Sequence, residues 1–360
     1  MRVCVVGTRG FPHIEGGVEK HCEALYPLLA KDMEIILFRR KPYVVDDCTY
    51  KNIRFVDLPS TKIKGVETVL HSFLATIYAI LLRPDVVHYH NIGPALFMPF
   101  VKLFSIPAVL TYHSPNYEHK KWGVFGRNLL RFCERVAFRF ADRILFVNCF
   151  QMEKCPGKIR EKSEYIPNGI GAVEPSSQRD YLDQIGVEPG KYVLSVGRIT
   201  PEKGFHTLIQ GFKEQNLPYK LVIAGGVEFE TGYMTRLQAL CADSPVVFTG
   251  FVQGEALAQL YSHAALFVLT SENEGFPLVL LEAMGYKRNV LVSDIPATHL
   301  VALSQEDYFP VGDVKTLAEK ITRKLQEPSC RDYDLDAYDW QKIADRVSSV
   351  LEEVTDCVHK

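Results

Sequence analysis

The sequence predicts an α/β protein built from two doubly wound parallel sheets. Short apolar segments alternate with helical patterns along the whole chain, and they are apolar on both faces, as strands covered by helices are. A length of 360 residues corresponds to two domains. Turn residues at 166–169 and a polar stretch at 173–177 separate two sets of strands and predict a hinge.

The predicted strands fall into two sets of five. Those of the first half are Val3–Gly7, Glu34–Phe38, Val86–His90, Ala108–His113 and Arg143–Asn148. Those of the second half are Tyr192–Arg198, Lys220–Gly226, Val246–Phe251, Leu266–Ser271 and Asn289–Asp294. We expect two Rossmann-like domains facing across a cleft, with ligands bound beyond the carboxyl ends of the strands.

Composition and charge describe an ordered globular chain with unequal halves. The sequence is 47% hydrophobic and 23% charged, which excludes disordered and collagen-like classes. The net charge of −2 conceals 24 basic and 16 acidic residues in 1–170, against 17 and 27 in the remainder. Such asymmetry predicts a surface that meets anions.

Cysteine usage and apolar runs favour a cytoplasmic protein. The nine cysteines form no CxxC pair, so we expect reduced thiols and neither a zinc site nor a disulfide framework. A strand that begins at Val3 predicts no signal peptide. The longest apolar run, Phe73–Leu82, has about half the length of a membrane span.

Three loops at strand ends carry residues suited to a phosphorylated ligand. Gly16 and Gly17 open a helix, where backbone amides can approach a phosphate, and a purely structural turn is the less favoured alternative. The dinucleotide fingerprint GxGxxG is absent, and the second strand ends in basic residues where an NAD enzyme has an acid. After a strand of the second half, Arg198 and Lys203 can hold a diphosphate, or they are ordinary loop charges.

The third loop, 271–285, is the most specific. The amides of Gly275, Phe276 and Leu278 can donate to an anion near a helix start. Glu282 is expected to accept from ribose hydroxyls and Glu274 from sugar hydroxyls, with a helix cap and a surface acid as the alternatives.

These motifs together resemble the family-four (group 1) retaining glycosyltransferases of the GT-B fold. The resemblance rests on Glu274 and Glu282 as an E-x7-E motif, Gly197-Arg198 with Lys203-Gly204, Gly16-Gly17, and Ile166-Pro167-Asn168-Gly169. It covers nearly the whole chain, because 338–341 is similar to the start of the final helix of that family. The opening residues are similar to bacterial transferases that build capsule, exopolysaccharide or O-antigen.

The resemblance implies a domain plan and a reaction. Residues 1–170 would bind the acceptor, 171–335 the nucleotide-sugar, and 336–360 would form a helix crossing back to the first domain. A sugar would pass with retention from a nucleotide donor, expected to be UDP-linked, to a saccharide or lipid-linked glycan at the inner membrane face.

The resemblance also implies residue roles. Arg198 and Lys203 would clamp the donor diphosphate, with Gly17 meeting it from the opposite domain. Glu274 would hold the donor sugar and Glu282 the ribose. The remaining expected contacts are the amides of Gly275 and Phe276 to the sugar, those near Phe251 and Val252 to the base, and His113 near the transferred group, with a lesser expectation for His88 and His90.

The expected mechanism needs neither metal nor protein nucleophile. The departing phosphate would take the acceptor proton during front-face attack, so catalysis would be positioning and charge stabilisation. Glu274 as a covalent nucleophile is the less favoured variant. The aspartates of 332–336 match the DxD pattern of metal-dependent transferases, but they lie in a charged connector and are interpreted as linker acids.

A row of arginines marks the first half. Arg127, Arg131, Arg135, Arg139 and Arg143 recur every four residues, and such a row drifts slowly round one side of a helix. The row is either a solvated face or a site that docks to anionic lipid, and some arginines could be buried against acids. Nucleic acid is excluded, because no stacking platform accompanies the row.

Two other functions remain open from the sequence. One is a nucleotide-sugar 2-epimerase on the same plan, which would turn over donor without acceptor. The other is a non-catalytic nucleotide-sugar-binding subunit, which would bind donor tightly without hydrolysing it.

Overall fold

A computed structural model describes residues 1–14, 16–44, 48–61, 63, 65–115, 117, 123–171, 173–227, 232–242 and 244–356. The chain divides into two compact units. The first unit comprises residues 1–171 together with 337–360, and the second comprises 172–336.

The first unit is built on a seven-stranded sheet. Its strands are β1 (Arg2–Val6), β2 (Glu34–Arg40), β3 (Ile53–Leu58), β4 (Val86–His90), β5 (Ala108–Tyr112), β6 (Arg143–Phe146) and β7 (Ser163–Tyr165). They are parallel and lie in the order β3-β2-β1-β4-β5-β6-β7. The order reverses direction between β1 and β4, which is where such sheets bind ligands.

Helices cover both faces of this sheet because its strands are apolar on both sides. The helices are α1 (Gly17–Leu29), α2 (Val66–Leu82), α3 (Met98–Leu103), α4 (Val124–Phe140), α5 (Cys149–Glu153), α6 (Gly157–Arg160) and, from the chain's end, α13 (Trp340–Asp356). Alternate residues of β1 serve the two faces: Val3 and Val5 pack with α1 and α13, and Cys4 and Val6 with α2, α3 and α4.

The second unit repeats the plan with six parallel strands. They are β8 (Tyr192–Val196), β9 (Lys220–Ala224), β10 (Val246–Gly250), β11 (Leu266–Leu269), β12 (Val290–Ser293) and β13 (Tyr308–Phe309), in the order β10-β9-β8-β11-β12-β13. The helices are α7 (Asp180–Gln184), α8 (Phe205–Glu214), α9 (Gly232–Leu240), α10 (Gly254–His263), α11 (Leu278–Gly285) and α12 (Val314–Lys324). The switch point lies between β8 and β11.

The prediction of two parallel α/β domains is confirmed, and all ten predicted strands are present. Three strands were missed. Ile53–Leu58 alternates apolar with charged residues, as an edge strand does, while Ser163–Tyr165 and Tyr308–Phe309 are too short for a periodic signal. Most predicted strands extend one or two residues too far, because they include the glycine and polar residues, such as Gly225 or Ser271, that begin the loops that follow.

The structure bears on the expectations about cysteines and about membrane-spanning helices. The cysteines among the described residues are free thiols, and Cys357 lies outside those residues. Within the described part of the chain, every helix falls short of the length or the apolar character that crossing a bilayer requires.

Candidate active site

Two loops meet at the carboxyl edge of the second sheet, at its switch point. One loop joins β8 to α8 and the other joins β11 to α11, and their parent strands are neighbours. Thr270 Oγ1 donates to the carbonyl of Lys203 over 2.9 Å, and the Glu272 amide donates to the carbonyl of Glu202 over 2.8 Å. These two hydrogen bonds fasten the predicted phosphate loop to the predicted sugar loop.

Glycine permits this close approach. Gly204 has a φ of 66°, and a Cβ built on it would lie 2.2 Å from the carbonyl oxygen of Thr270. Gly225, at the end of the neighbouring β9, would place a Cβ 1.9 Å from the carbonyl oxygen of Gly197. Only backbone without side chains fits at either contact, which is the physical reason for these glycines.

Lys203 and Glu274 form an ion pair across the two loops. Their side chains are only 16% and 12% exposed, so water screens the pair weakly. Ser271 Oγ donates a second hydrogen bond, of 2.7 Å, to the same Glu274 oxygen. The ammonium group has three donors, so Lys203 can keep one on Glu274 and offer others to a second anion.

The other residues predicted to bind the sugar donor lie in the same two loops as this pair or at the start of α11. Arg198 is partly exposed two residues beyond β8. Gly275 is partly exposed, Phe276 is buried, and Leu278 begins α11 directly after Pro277. The Leu280 amide donates to the Pro277 carbonyl over 3.0 Å, and the start of α11 carries the positive end of the helix dipole, which suits an anion.

Glu282 is held by a residue that sequence reasoning missed. Tyr261, at the end of α10, donates its hydroxyl to Glu282 Oε2 over 2.8 Å. Burial, and then the Glu282 carboxylate, raises the pKa of Tyr261 well above its usual value, so the phenol stays a donor. An isolated tyrosine in a helical pattern gives no signal for this role.

Phe251 and Val252 follow the edge strand β10, on the same carboxyl side of the sheet. Phe251 is 45% exposed and Val252 is partly exposed. The strand order places this loop two strands from β8. An exposed aromatic ring there can stack on a flat ligand.

In the first unit, the glycine-rich loop after β1 is shaped around a buried carboxylate. Glu19 is 8% exposed and accepts from the Arg9 amide over 3.0 Å. A Cβ on Gly16 would lie 2.0 Å from Glu19 Oε2, whereas one on Gly17 would meet no atom within 4 Å. Gly16 therefore has a structural reason to be glycine, and Gly17 has open space for a ligand.

His113 belongs to a buried hydrogen-bonded chain. Its Nε2 lies 3.0 Å from His90 Nδ1, and His90 Nε2 lies 2.6 Å from the Tyr26 hydroxyl. The same hydroxyl lies 3.0 Å from His88 Nδ1, and His88 Nε2 lies 2.7 Å from Thr111 Oγ1. The structure thus joins all three histidines that the sequence considered, through a tyrosine that it did not.

Burial keeps these imidazoles neutral. Desolvation lowers the pKa of His88 to about 3 and that of His21 to about 4, and it lowers the pKa of His90 and His113 well below the usual range. A neutral ring has one donor and one acceptor nitrogen.

The direction in which the Tyr26 hydroxyl donates its single proton therefore decides which ring nitrogen of each hydrogen-bonded histidine carries a proton. If it goes to His88, then Tyr26 accepts from His90, and His90 Nδ1 accepts from His113, which leaves His113 Nδ1 with a lone pair. If it goes to His90, the order reverses and His113 Nδ1 carries the proton.

Three of the histidines are close enough to be considered as metal ligands. His21, His90 and His113 offer nitrogen atoms that lie within 4.8 Å of one another. His21 Nδ1 is held by Asn168 Oδ1 at 2.7 Å, and its Nε2 is buried without a hydrogen-bond partner among the described residues. Neutral imidazoles suit transition metals. Sequence spacing could not indicate this group, because its members come from α1, β4 and the loop after β5.

The arginine row lies on the outer side of α4. Arg127, Arg131, Arg135 and Arg139 are all exposed, while Cys133 and Ala137 face the sheet. Arg131 lies over the Tyr117 ring at 5.4 Å and Arg139 over the Phe140 ring at 5.8 Å. The expectation that some arginines are buried against acids is therefore wrong for these four, whereas Arg143, which begins β6, is partly buried and pairs with Glu353.

Comparison with known proteins adds two family matches and several relatives. The family "Glycosyl transferases group 1" matches residues 178–339, and "Glycosyltransferase Family 4" matches residues 15–172. Sulfoquinovosyl transferase SQD2 of Arabidopsis thaliana is 25% identical over 74% of this chain and 56% of that protein. The O-antigen chain mannosyltransferase RfbU of Salmonella typhimurium is 32% identical over 55% of this chain and 57% of that protein.

Solved structures share the whole fold. Sucrose-phosphate synthase of Thermosynechococcus elongatus superposes with a TM-score of 0.83 at 20% identity, covering 99% of both chains. Anabaena HepE, solved with UDP and glucose, gives 0.72 at 19% identity and covers 100% of this chain and 99% of its own.

Proposed function

The chain belongs to the group 1 glycosyltransferases with the GT-B fold, and we propose that it transfers a sugar from a UDP-sugar, with retention, to a saccharide or lipid-linked glycan. The observation that carries this proposal is the Lys203–Glu274 pair fastened at the switch point of the second sheet. Its relative RfbU, named as an O-antigen chain mannosyltransferase, supports a role in cell-surface polysaccharide synthesis, and HepE supports UDP.

In the proposed mechanism, charge stabilisation replaces covalent chemistry. Arg198 and Lys203 neutralise the diphosphate as the bond to the sugar breaks, and a phosphate oxygen takes the proton of the attacking acceptor hydroxyl. Glu274 accepts from hydroxyls of the donor sugar while it holds Lys203 in place. Glu282, oriented by Tyr261, accepts from the ribose. No metal takes part in this scheme.

The first unit is proposed to receive the acceptor. Gly17 contributes its amide to the phosphate, and His113 contacts the transferred sugar. The Tyr26 chain decides whether His113 Nδ1 donates to or accepts from that sugar. The enzyme is proposed to work in the cytoplasm at the inner membrane face, where the arginine row of α4 meets anionic lipid.

Substitution of the two cations tests the mechanism. Because each stabilises charge that develops as the leaving group departs, Lys203→Ala and Arg198→Ala should each lower kcat about 100- to 1,000-fold. Lys191→Ala and Arg179→Ala, at exposed positions of the same unit, are the matched controls. Full turnover by either cation variant would refute the mechanism.

A donor panel tests the substrate. Thermal shifts with UDP-, GDP-, dTDP- and ADP-sugars rank the donors without knowledge of the acceptor, since a ligand that binds the folded state stabilises it. UDP-sugars should give the largest shift. Interconversion of the donor in the absence of any acceptor would instead identify a 2-epimerase.

A further inference from the structure

Helix α2 has polar residues on its buried side and apolar residues on its exposed side, which is the reverse of the usual arrangement. Its buried side carries Glu67, His71, Ser72 and Thr76, each no more than 6% exposed. Every exposed residue of the helix is apolar or aromatic: Val66, Val69, Leu70, Phe73, Ile77, Tyr78 and Leu81. A helix on the surface of a water-soluble domain shows the reverse pattern.

Two of the four buried polar residues of α2 are engaged with the sheet and with a neighbouring loop, whereas both ring nitrogens of His71 and the Ser72 hydroxyl have no hydrogen-bond partner among the described residues. Glu67 pairs with Arg40 at 3.3 Å and accepts from the Tyr43 hydroxyl, and Thr76 Oγ1 lies 3.0 Å from the Tyr89 hydroxyl. These contacts fix the rotation of the helix. The apolar residues therefore point outward in a defined orientation.

The apolar surface continues over the next two helices. Helix α3 contacts both α2 and α4, and the Phe73 ring lies 5.6 Å from Phe97 and 6.5 Å from Phe100. The most exposed apolar side chains of the continuation are Leu103 (77%) and Phe125 (83%). The others are Phe100, Phe104, Val124, Leu129, Phe132 and Phe140. We call the exposed apolar residues of α2, α3 and α4, with Phe104, the apolar face.

The arginine row adjoins the apolar face. At 100° per residue, the arginines of α4 lie opposite its buried Cys133 and Ala137, and the exposed Leu129 and Phe132 lie on one flank between the two. Cations beside an apolar surface match the interface of an anionic bilayer, where headgroups meet arginine and acyl chains meet apolar side chains. Contiguous apolar patches of this kind mark interaction sites.

We propose that the apolar face inserts into the interfacial layer of an anionic membrane, with α2 lying in the membrane plane. A helix of 17 residues that is fixed to a sheet by buried polar contacts cannot turn to cross a bilayer. Insertion covers apolar side chains, and the arginine row adds attraction to phosphate headgroups. The proposal rests on the membrane location in the proposed function and deepens it, because it names α2 and the rest of the apolar face, distinct from the donor site, as the surface that enters the lipid.

Vesicle co-sedimentation tests the proposal on the full chain. The parent protein should bind vesicles of phosphatidylcholine with phosphatidylglycerol. The variant Leu81→Glu/Leu103→Glu/Phe125→Glu should bind at least tenfold more weakly, because three charges would enter the acyl boundary. Val311→Glu in the second unit, at a 43% exposed position, is the control and should bind like the parent.

Further measurements separate the two parts of the surface from the proposed function. Arg131→Glu/Arg135→Glu should lose the dependence on phosphatidylglycerol and on salt but keep residual binding. The variant Leu81→Trp should show blue-shifted emission, quenched by brominated lipid. Thermal shifts with UDP-sugar should be equal in all variants. Absence of donor binding in the parent would therefore contradict the proposed function and leave the proposal about the apolar face standing.

Two results would overturn the proposal. One is parent protein that stays in the supernatant with vesicles of phosphatidylcholine and phosphatidylglycerol. The other is a parent dimer that becomes monomeric in the triple variant by analytical ultracentrifugation, which would make the apolar face an interface between copies of this chain.

Discussion

At the residue scale, the sequence identified charged side chains at strand ends but not the groups that orient them. Glu274 and Lys203 stood out because they belong to a set of motifs at strand ends that together resemble one family, although each alone could be an ordinary loop charge. Their direct pairing depends on two loops that are 71 positions apart in the chain. Tyr26 and Tyr261, which hold a histidine pair and a glutamate, occupy apolar helical patterns where a tyrosine looks like ordinary core.

Tyr261→Phe should weaken donor binding. The variant removes the hydroxyl that holds Glu282 Oε2, so the donor KM should rise several-fold while kcat changes little. Tyr192→Phe is the matched control, since it removes another buried hydroxyl, bonded to the Leu260 carbonyl at 2.6 Å. Each should cost about 1 kcal/mol of stability. Equal donor KM values in the two variants would contradict the role of Tyr261.

Acidification should destabilise the first unit through its buried histidines. The folded state holds the pKa of His21 at about 4, below the unfolded value of about 6.5, so the unfolded chain takes up the proton first. The free energy of unfolding should therefore fall as pH decreases from about 6.5 to about 4, by about 1.4 kcal/mol per pH unit for each such histidine.

Urea titrations at several pH values measure this slope. His21→Gln should reduce it between pH 6.5 and 4, and His13→Gln, at an exposed position, is the control. An unchanged slope in His21→Gln would show that the folded state does not lower the pKa of this imidazole.

At the element scale, strands and their order were largely predictable, and the helices' exposed faces were not. Nine of the ten predicted strands are buried on both faces and so appear as apolar runs, while the edge strand β10 is partly exposed. The apolar run Phe73–Leu82 is too short for a membrane span, and the sequence gives it no other role. Only the structure shows that it belongs to a helix whose outward side is apolar, because periodicity does not reveal which side of a helix meets the sheet.

Gly204→Ala should separate the two loops of the candidate site. The new Cβ would strain the backbone at a φ of 66° and clash with the Thr270 carbonyl at 2.2 Å. Gly190→Ala is the matched control, since it has a φ of 72° and open space around the Cβ. The control should lose about 1 kcal/mol of stability from backbone strain alone.

Chemical denaturation and donor titration distinguish the two glycine variants. Gly204→Ala should be less stable than Gly190→Ala and should also bind UDP-sugar more weakly. Identical denaturation midpoints would mean that the loops tolerate separation and that their fastening is not required.

At the scale of the whole molecule, the proposed reaction runs without metal. Activity should be undiminished by EDTA, because Arg198 and Lys203 are proposed to neutralise the diphosphate. Elemental analysis of the protein as purified should accompany this assay, since His21, His90 and His113 are close enough to be ligands. Inactivation by EDTA with recovery on adding back a metal would overturn the metal-free mechanism.

The charge asymmetry of the halves also gains meaning at this scale. The basic half contains the exposed arginines of α4, and the acidic half contains the Lys203–Glu274 pair, in which opposite charges neutralise each other locally. Composition indicated an anionic partner for the first half. It could not indicate that an apolar surface lies beside the cations.

The sequence by itself determined the fold class, the family and the loops that carry the candidate donor site. It could do so because buried parallel strands and glycine-rich turns are local patterns. Only the tertiary structure decided which side chains meet: Lys203 with Glu274, Tyr261 with Glu282, and two histidines with Tyr26. It also decided which side of α2 is exposed. Contacts between distant segments, and the rotation of a helix on its sheet, depend on packing that no local pattern records.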